Sequence, residues 1–101
     1  MKDDKSIEWH WQFLVILLKE VCKQRNITQE ELAELTGLKQ QSISRIFLLK
    51  FSPNLKTYMT IANALDLNVF FEPRDSKSDI SIAFEKAMQE IGRRSDSLPK
   101  N

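Results

Sequence analysis

From Ile7 to Cys22 the apolar residues Ile7, Trp11, Leu14, Val15, Leu18, Val21 and Cys22 recur with the helical period. This predicts a first helix from a cap at Ser6 to about Arg25, without a capping box, because Trp9 stands where Glu would be needed. Trp9, Phe13, Ile16 and Leu17 widen the stripe to most of the circumference. A helix apolar nearly all round is covered on more than one side, and a domain this small covers one only. The surplus side calls for a partner, either a second copy or the chain's last helix. Asn26 stops the helix, since Asn tolerates the left-handed conformation. Thr28 then caps a second helix, and Glu31 completes a capping box. Leu32 and Leu35 point to the core, Ala33 admits a close neighbour, and Gly37 supplies the positive φ of a sharp turn. Leu38 anchors that turn. A third helix from about Gln40 to Leu48 faces Ile43, Ile46 and Phe47 inward. Phe51-Ser52-Pro53 is a loop. Asn54 caps a fourth helix with Leu55, Tyr58, Met59, Ile61, Ala62 and Leu65 at helical spacing, ending near Asp66.

The period then changes. Leu67 to Glu72, closed by Pro73, is rich in branched and aromatic residues and reads as one β-strand at about 67–72. A lone strand needs a ladder, and the chain offers no second convincing strand. Pairing with the same strand of a second copy across a two-fold axis is the economical solution, with Val69, Phe70 and Phe71 at the interface. The rival reading is an irregular apolar segment packed on the first and fourth helices. Residues 74–78 form a polar linker. Asp79 or Ser81 caps a last helix to about Ile91, striped by Ile80, Phe84, Ala87, Met88 and Ile91 and ended by Gly92. Domain organisation is therefore 1–73, a helical domain with a dimerisation strand; 74–94, linker and C-terminal helix; and 95–101, a mobile tail. The fold class is all-α.

The length of 101 residues suits one compact domain with a modest core. A single cysteine, Cys22, makes no intrachain disulfide and no Cys-based metal site, and the single His10 adds no cluster. The apolar run from Phe13 to Leu18, closed by Lys19, is too short for a membrane span or a usual signal sequence. The expectation is a cytoplasmic protein without a membrane partner. Nothing marks a metal or cofactor site, so cofactors are expected to be none. With one His, two glycines and no phosphate loop, an enzyme is the weakest reading and no catalytic residue is assigned. Glu30, Glu31 and Glu34 are explained by the helix dipole and the capping box.

The net charge is only +1, but its distribution is telling. Between Leu35 and Leu65 there is no Asp or Glu, while Lys39, Arg45, Lys50 and Lys56 give that stretch a local +4. Residues 67–101 carry six basic and six acidic side chains and cancel. A local basic face on a nearly neutral protein still steers toward phosphate. Two short helices joined by a tight turn, the second with amide and hydroxyl groups at its N-terminal end, suit the major groove of duplex DNA. Gln40 and Gln41 can bond adenine bidentately, Ser44 can reach a base, and Arg45 can read guanine or hold the backbone. Gln29, at the start of the second helix, is placed to donate to phosphate. Lys39, Ser42, Lys50, Asn54 and Lys56 are the other phosphate candidates.

Thr28-Gln29-Glu30-Glu31-Leu32-Ala33, Gly37, Ile43-Ser44-Arg45-Ile46, Pro53-Asn54-Leu55-Lys56-Thr57 and Ile61-Ala62-Asn63-Ala64-Leu65 together resemble the lambda-repressor-like, Cro-type helix-turn-helix family over about residues 15–70. The resemblance implies an all-helical five-helix domain that binds operator DNA, usually as a dimer, with DNA roles for Gln29, Gln40, Gln41, Ser44 and Arg45. Two departures stand out. Many members pair an Arg near the end of the first helix with a Glu after the recognition helix, where this chain has Cys22 and Phe47. Losing both halves together is physically coherent, because it leaves no unpaired buried charge. Cys22 is expected to pack against or near Phe47, a structural thiol rather than a redox sensor. Second, Leu48-Leu49 replaces a frequent Arg-Gly, which removes a glycine C-cap. Either the third helix runs on, or the two leucines meet another surface. The added strand and last helix resemble the HipB-type antitoxins, in which such a strand pairs across a dimer.

Three functions compete: a dimeric repressor, an antitoxin that also binds a protein toxin, and an interaction module without DNA. The acid-free stretch argues against the third. The last helix serves as toxin contact, domain cap or dimer seal, packing within the domain or dimer being the plainer reading.

Overall fold

The computed structural model describes residues 4–70 and 79–92. These residues form α1 (Asp4–Gln24), α2 (Gln29–Thr36), α3 (Gln40–Phe47), α4 (Leu55–Ala64) and α5 (Ile80–Ile91). The chain divides into two units, one up to Leu67 and one from Asn68.

In the first unit α2 packs on α3 and α4, and α1 packs on the same two helices. The core is wholly apolar: Val15, Leu18 and Cys22 from α1, Leu32 from α2, Ile43, Ile46 and Phe47 from α3, and Ile61, Ala62 and Leu65 from α4 and its cap. Cys22 and Phe47 are both buried in this cluster, as expected of an apolar replacement for an ion pair. Burial pushes the Cys22 thiol up from its ordinary pKa, and the charge of Arg25 opposes this more weakly. The proton stays on sulfur, in keeping with packing rather than reactivity.

The capping box at the start of α2 is complete. Glu31 N donates to Thr28 Oγ1 at 3.0 Å, and Thr28 N donates to Glu31 Oε1 at 2.9 Å. The Thr28 backbone N–H, and then its hydroxyl, hold the Glu31 carboxyl below the ordinary carboxylate range. Its contribution to stability is present above the unfolded-state pKa and is lost as pH falls through the lowered folded value. α1 begins at Asp4, ahead of the expected Ser6 cap.

Three helices stop in the same way. Asn26, Leu49 and Asp66 have φ of 58°, 61° and 64°, in the left-handed region. After α1, Ile27 N donates to Cys22 O at 2.8 Å and Asn26 N to Lys23 O at 3.2 Å. After α3, Lys50 N donates to Arg45 O at 3.1 Å and Leu49 N to Ile46 O at 2.9 Å. After α4, Leu67 N donates to Ala62 O at 2.9 Å and Asp66 N to Asn63 O at 3.0 Å. Each is a Schellman motif, which satisfies carbonyls that the helix end would otherwise leave open. The missing glycine after α3 therefore neither lengthens the helix nor changes the turn, because Leu49 adopts the glycine conformation itself.

That conformation costs an L-residue about 1–2 kcal/mol. Leu49 is half-buried against the core, and packing of this kind offsets a similar amount. Leu49→Gly, which loses both strain and packing, should change stability by less than about 1 kcal/mol. Leu49→Ala keeps the strain and loses the packing, so it should cost about 1–2 kcal/mol. Urea melts of the two variants check this order, and an alanine variant as stable as the glycine one would show that the turn carries no strain.

Several apolar positions depart from expectation. Leu35 is 61% exposed, although its spacing from Leu32 suggested the core. α2 is only eight residues long, and its inward face is filled by Leu32 with Ala33 beside it. Leu55 and Met59 are also exposed, because Tyr58, Ile61, Ala62 and Leu65 form the inward side of α4. The Tyr58 hydroxyl donates to Leu14 O on α1 at 2.8 Å, and burial raises its pKa. The surplus apolar face of α1 is present: Ile7, Trp9, Phe13, Leu14, Ile16 and Leu17 are exposed, and Trp9 stacks on Phe13 at 5.3 Å.

One contact of this unit was not foreseen. The Arg25 guanidinium donates to Leu65 O, 40 residues away, at the C-terminal end of α4. A cation there complements the helix dipole and satisfies a terminal carbonyl.

In the second unit, residues 68–70 belong to no regular element, nor does Leu67 before them. The strand expected at about 67–72 is thus missing from its described part, and 71–72 lie outside the described residues, including Phe71 of the expected interface. A ladder needs a second strand, and none occurs among the described residues. Val69 and Phe70 are exposed. α5 follows Asp79, whose side chain makes no cap hydrogen bond, and it buries no residue. Phe70 meets Phe84 with ring centroids 5.6 Å apart. The linker at 74–78 and the tail at 95–101 lie outside the described residues. No described helix is long and apolar enough to cross a membrane.

Candidate nucleic-acid interface

α3 is built with two faces. Ile43, Ile46 and Phe47 are buried and fix the helix against α1 and α2. Gln40, Gln41 and Arg45 are exposed and Ser44 is half-exposed. Residues three and four apart share a helix face, so the pairs 40–44, 41–44 and 41–45 make these four one surface. Two amides, a hydroxyl and a guanidinium thus lie together on the side away from the core.

The start of α3 is left open. Its N-cap is Lys39, whose side chain makes no cap hydrogen bond, and no acidic residue stands in the first turn. The first N–H groups of the helix carry the positive end of its dipole, at the same end of α3 as Lys39 and the two glutamines. An Asp cap would suit the helix and oppose phosphate. Lys39→Asp should therefore raise stability by up to about 1 kcal/mol while weakening duplex binding and lowering the salt slope by about 1. Thermal melts and binding at several salt concentrations should give these opposite signs, and a stabilised variant with unaltered binding would remove Lys39 from the interface.

The turn before α3 is tied by side chain as well as backbone. Gly37 has φ 78°, and its N–H donates to Ala33 O at 2.8 Å. The Thr36 hydroxyl donates to Leu32 O at 2.7 Å and accepts from Leu38 N at 3.1 Å. Thr36 thus joins the end of α2 to the turn, a role its position in the sequence did not suggest.

The flanking candidates fall into two groups. Lys39, Lys50 and Lys56 are exposed, and like Arg45 they form no ion pair among the described residues. Asn54 caps α4 by accepting from Thr57 N at 2.8 Å, which leaves its amide NH2 available as a donor. Gln29 and Ser42 are half-buried. Gln29 opens α2, but Glu30 and Glu31 share that first turn and the capping box already uses the Glu31 N–H. This end of α2 is the less favourable anion site of the two.

One residue of the site was missed. The Arg45 guanidinium carbon lies 5.6 Å from the centre of the Phe51 ring. Six residues apart, the two fit no helical spacing, and only the left-handed turn at Leu49 folds the chain back between them. An exposed aromatic one turn beyond a helical arginine was the sole hint.

The helix-turn-helix family (HTH_3) matches residues 18–70 of the chain. Over 54 residues the chain is 43% identical to the SPbeta prophage-derived HTH-type transcriptional regulator YopS of Bacillus subtilis (strain 168), an alignment that covers 52% of this chain and 73% of that protein. No solved structure matches.

Proposed function

This chain belongs to the helix-turn-helix family and is a DNA-binding regulator of transcription, and from that premise we propose that it is a sequence-specific, dimeric repressor that reads the major groove with α3. The observation that carries the reading is the exposed polar face of α3 beside cations that form no ion pair among the described residues. Gln40, Gln41, Ser44 and Arg45 meet base edges. Lys39, Lys50, Lys56, Asn54, Ser42 and, more weakly, Gln29 hold the phosphates on either side.

The dimer rests on a geometric argument and on exposed apolar surface. Eight residues of α3 span about one groove crossing, too few base pairs for high selectivity, and a two-fold pair of such helices reads half-sites about 34 Å apart. The uncovered apolar side of α1 and the exposed Val69 and Phe70 favour a second copy as its cover. In that dimer the segment at about 67–72, which carries Val69, Phe70 and Phe71, pairs with the same segment of the second copy. Its place of work is the cytoplasm, where the operator is.

A second reading has its own observation. α5 buries none of its residues, and Ile82, Phe84 and Ile91 are exposed. Such a helix suits a protein partner, as an antitoxin that represses its own operon would require.

The test is binding of the purified protein to a duplex of its own upstream region and to a scrambled duplex, at two salt concentrations. Selective binding with a steep salt dependence is expected. Equal, feeble binding to both would overturn the reading. Co-purification with the product of a neighbouring gene would favour the antitoxin.

A further inference from the structure

We propose that Phe51 is a specificity-determining positioning residue: its ring holds the Arg45 guanidinium so that Arg45 reads a guanine rather than gripping a phosphate. The proposal rests on the DNA-binding reading above and adds a residue to it.

Arg45 lies in the last turn of α3, is exposed, and has no ion pair among the described residues. A long side chain in that state samples many rotamers, and ordering it on DNA costs entropy. Its contact with the Phe51 ring limits this freedom. The guanidinium carbon is 5.6 Å from the Phe51 ring centre, inside the range of cation–π attraction. A guanidinium has five N–H donors, so one that lies over an aromatic ring retains donors for a bidentate pair with guanine O6 and N7. Phosphate, by contrast, accepts a guanidinium from almost any approach, so an untethered Arg45 gains charge neutralisation without choosing a base.

The backbone supports the same role. Phe51 is delivered by the turn in which Lys50 N donates to Arg45 O at 3.1 Å and Leu49 sits at φ 61°. The acceptor of that hydrogen bond is the carbonyl of the very residue that the ring holds. Phe51 itself is 43% exposed and lies outside the buried cluster and the residues packed on it, so the core does not account for an aromatic here. Contact with Arg45 does.

The test uses the full chain and a pool of duplexes with a randomised core, sequencing the bound fraction for wild type, Phe51→Leu, Phe51→Tyr and Arg45→Ala. Phe51→Leu keeps apolar bulk and loses the ring face. It should lose about two- to fivefold in guanine preference at one position, the position Arg45→Ala also loses, with the rest of the motif retained. Phe51→Tyr should restore that preference, which a purely structural role does not require. A Phe51→Leu motif equal to wild type, or one weakened evenly at every position, overturns the proposal while the DNA-binding reading stands. A wild-type protein that selects no motif at all overturns both.

Discussion

Gln40→Ala combined with Gln41→Ala should remove the preference for one operator while weak, salt-sensitive binding to any duplex remains. Each bidentate amide–adenine pair discriminates by about 1–3 kcal/mol, so losing two costs about thirtyfold or more in selectivity. The residual binding follows from the cations, which the substitutions leave in place. Both glutamines are exposed in the first turn of α3, where truncation removes no core contact, so the melting temperature should hardly move. Competition binding against scrambled duplex measures the ratio. Surviving selectivity would place the reading surface elsewhere on the molecule.

Cys22→Arg should unfold the domain. The site is 5% exposed and lies in a cluster without a polar group, so the new charge has no partner. An unpaired buried charge costs about 3–5 kcal/mol, a large part of the stability of a domain this size. Phe47→Glu alone should fail for the same reason. The double variant should recover most of the loss, because the two charges then neutralise each other between α1 and α3. Denaturant melts followed by circular dichroism give the cycle. A double variant as unstable as the sum of the single ones would mean that the two positions lie beyond each other's reach.

The features legible in the sequence are those decided within a few residues of chain. The capping box of Thr28 and Glu31, the stops at Asn26 and Asp66, and the inward face of α3 all depend on local chemistry. Leu35, Leu55 and Met59 were misplaced because helices of eight to ten residues make only two or three turns. Over so short a length two neighbouring apolar stripes satisfy the helical period equally, and tertiary packing chooses between them. For the interface, the composition of the α3 surface was legible, but the pairing of Arg45 with Phe51 was not. It depends on a leucine adopting a conformation that the sequence assigns to glycine. The link from Arg25 to Leu65 was hidden for a simpler reason, since 40 residues separate its ends.

The three left-handed stops made without glycine also bear on the unfolded chain. A protein with two glycines in 101 residues has given Asn26, Leu49 and Asp66 the work that glycine commonly does. Glycine in those places would enlarge the set of conformations open to the denatured ensemble, and each non-glycine stop narrows it by about 0.4–1 kcal/mol. The domain thus accepts tension in its native turns in exchange for a less disordered starting point. Substituting glycine at all three stops should therefore leave the native turns intact and raise the entropy gained on unfolding.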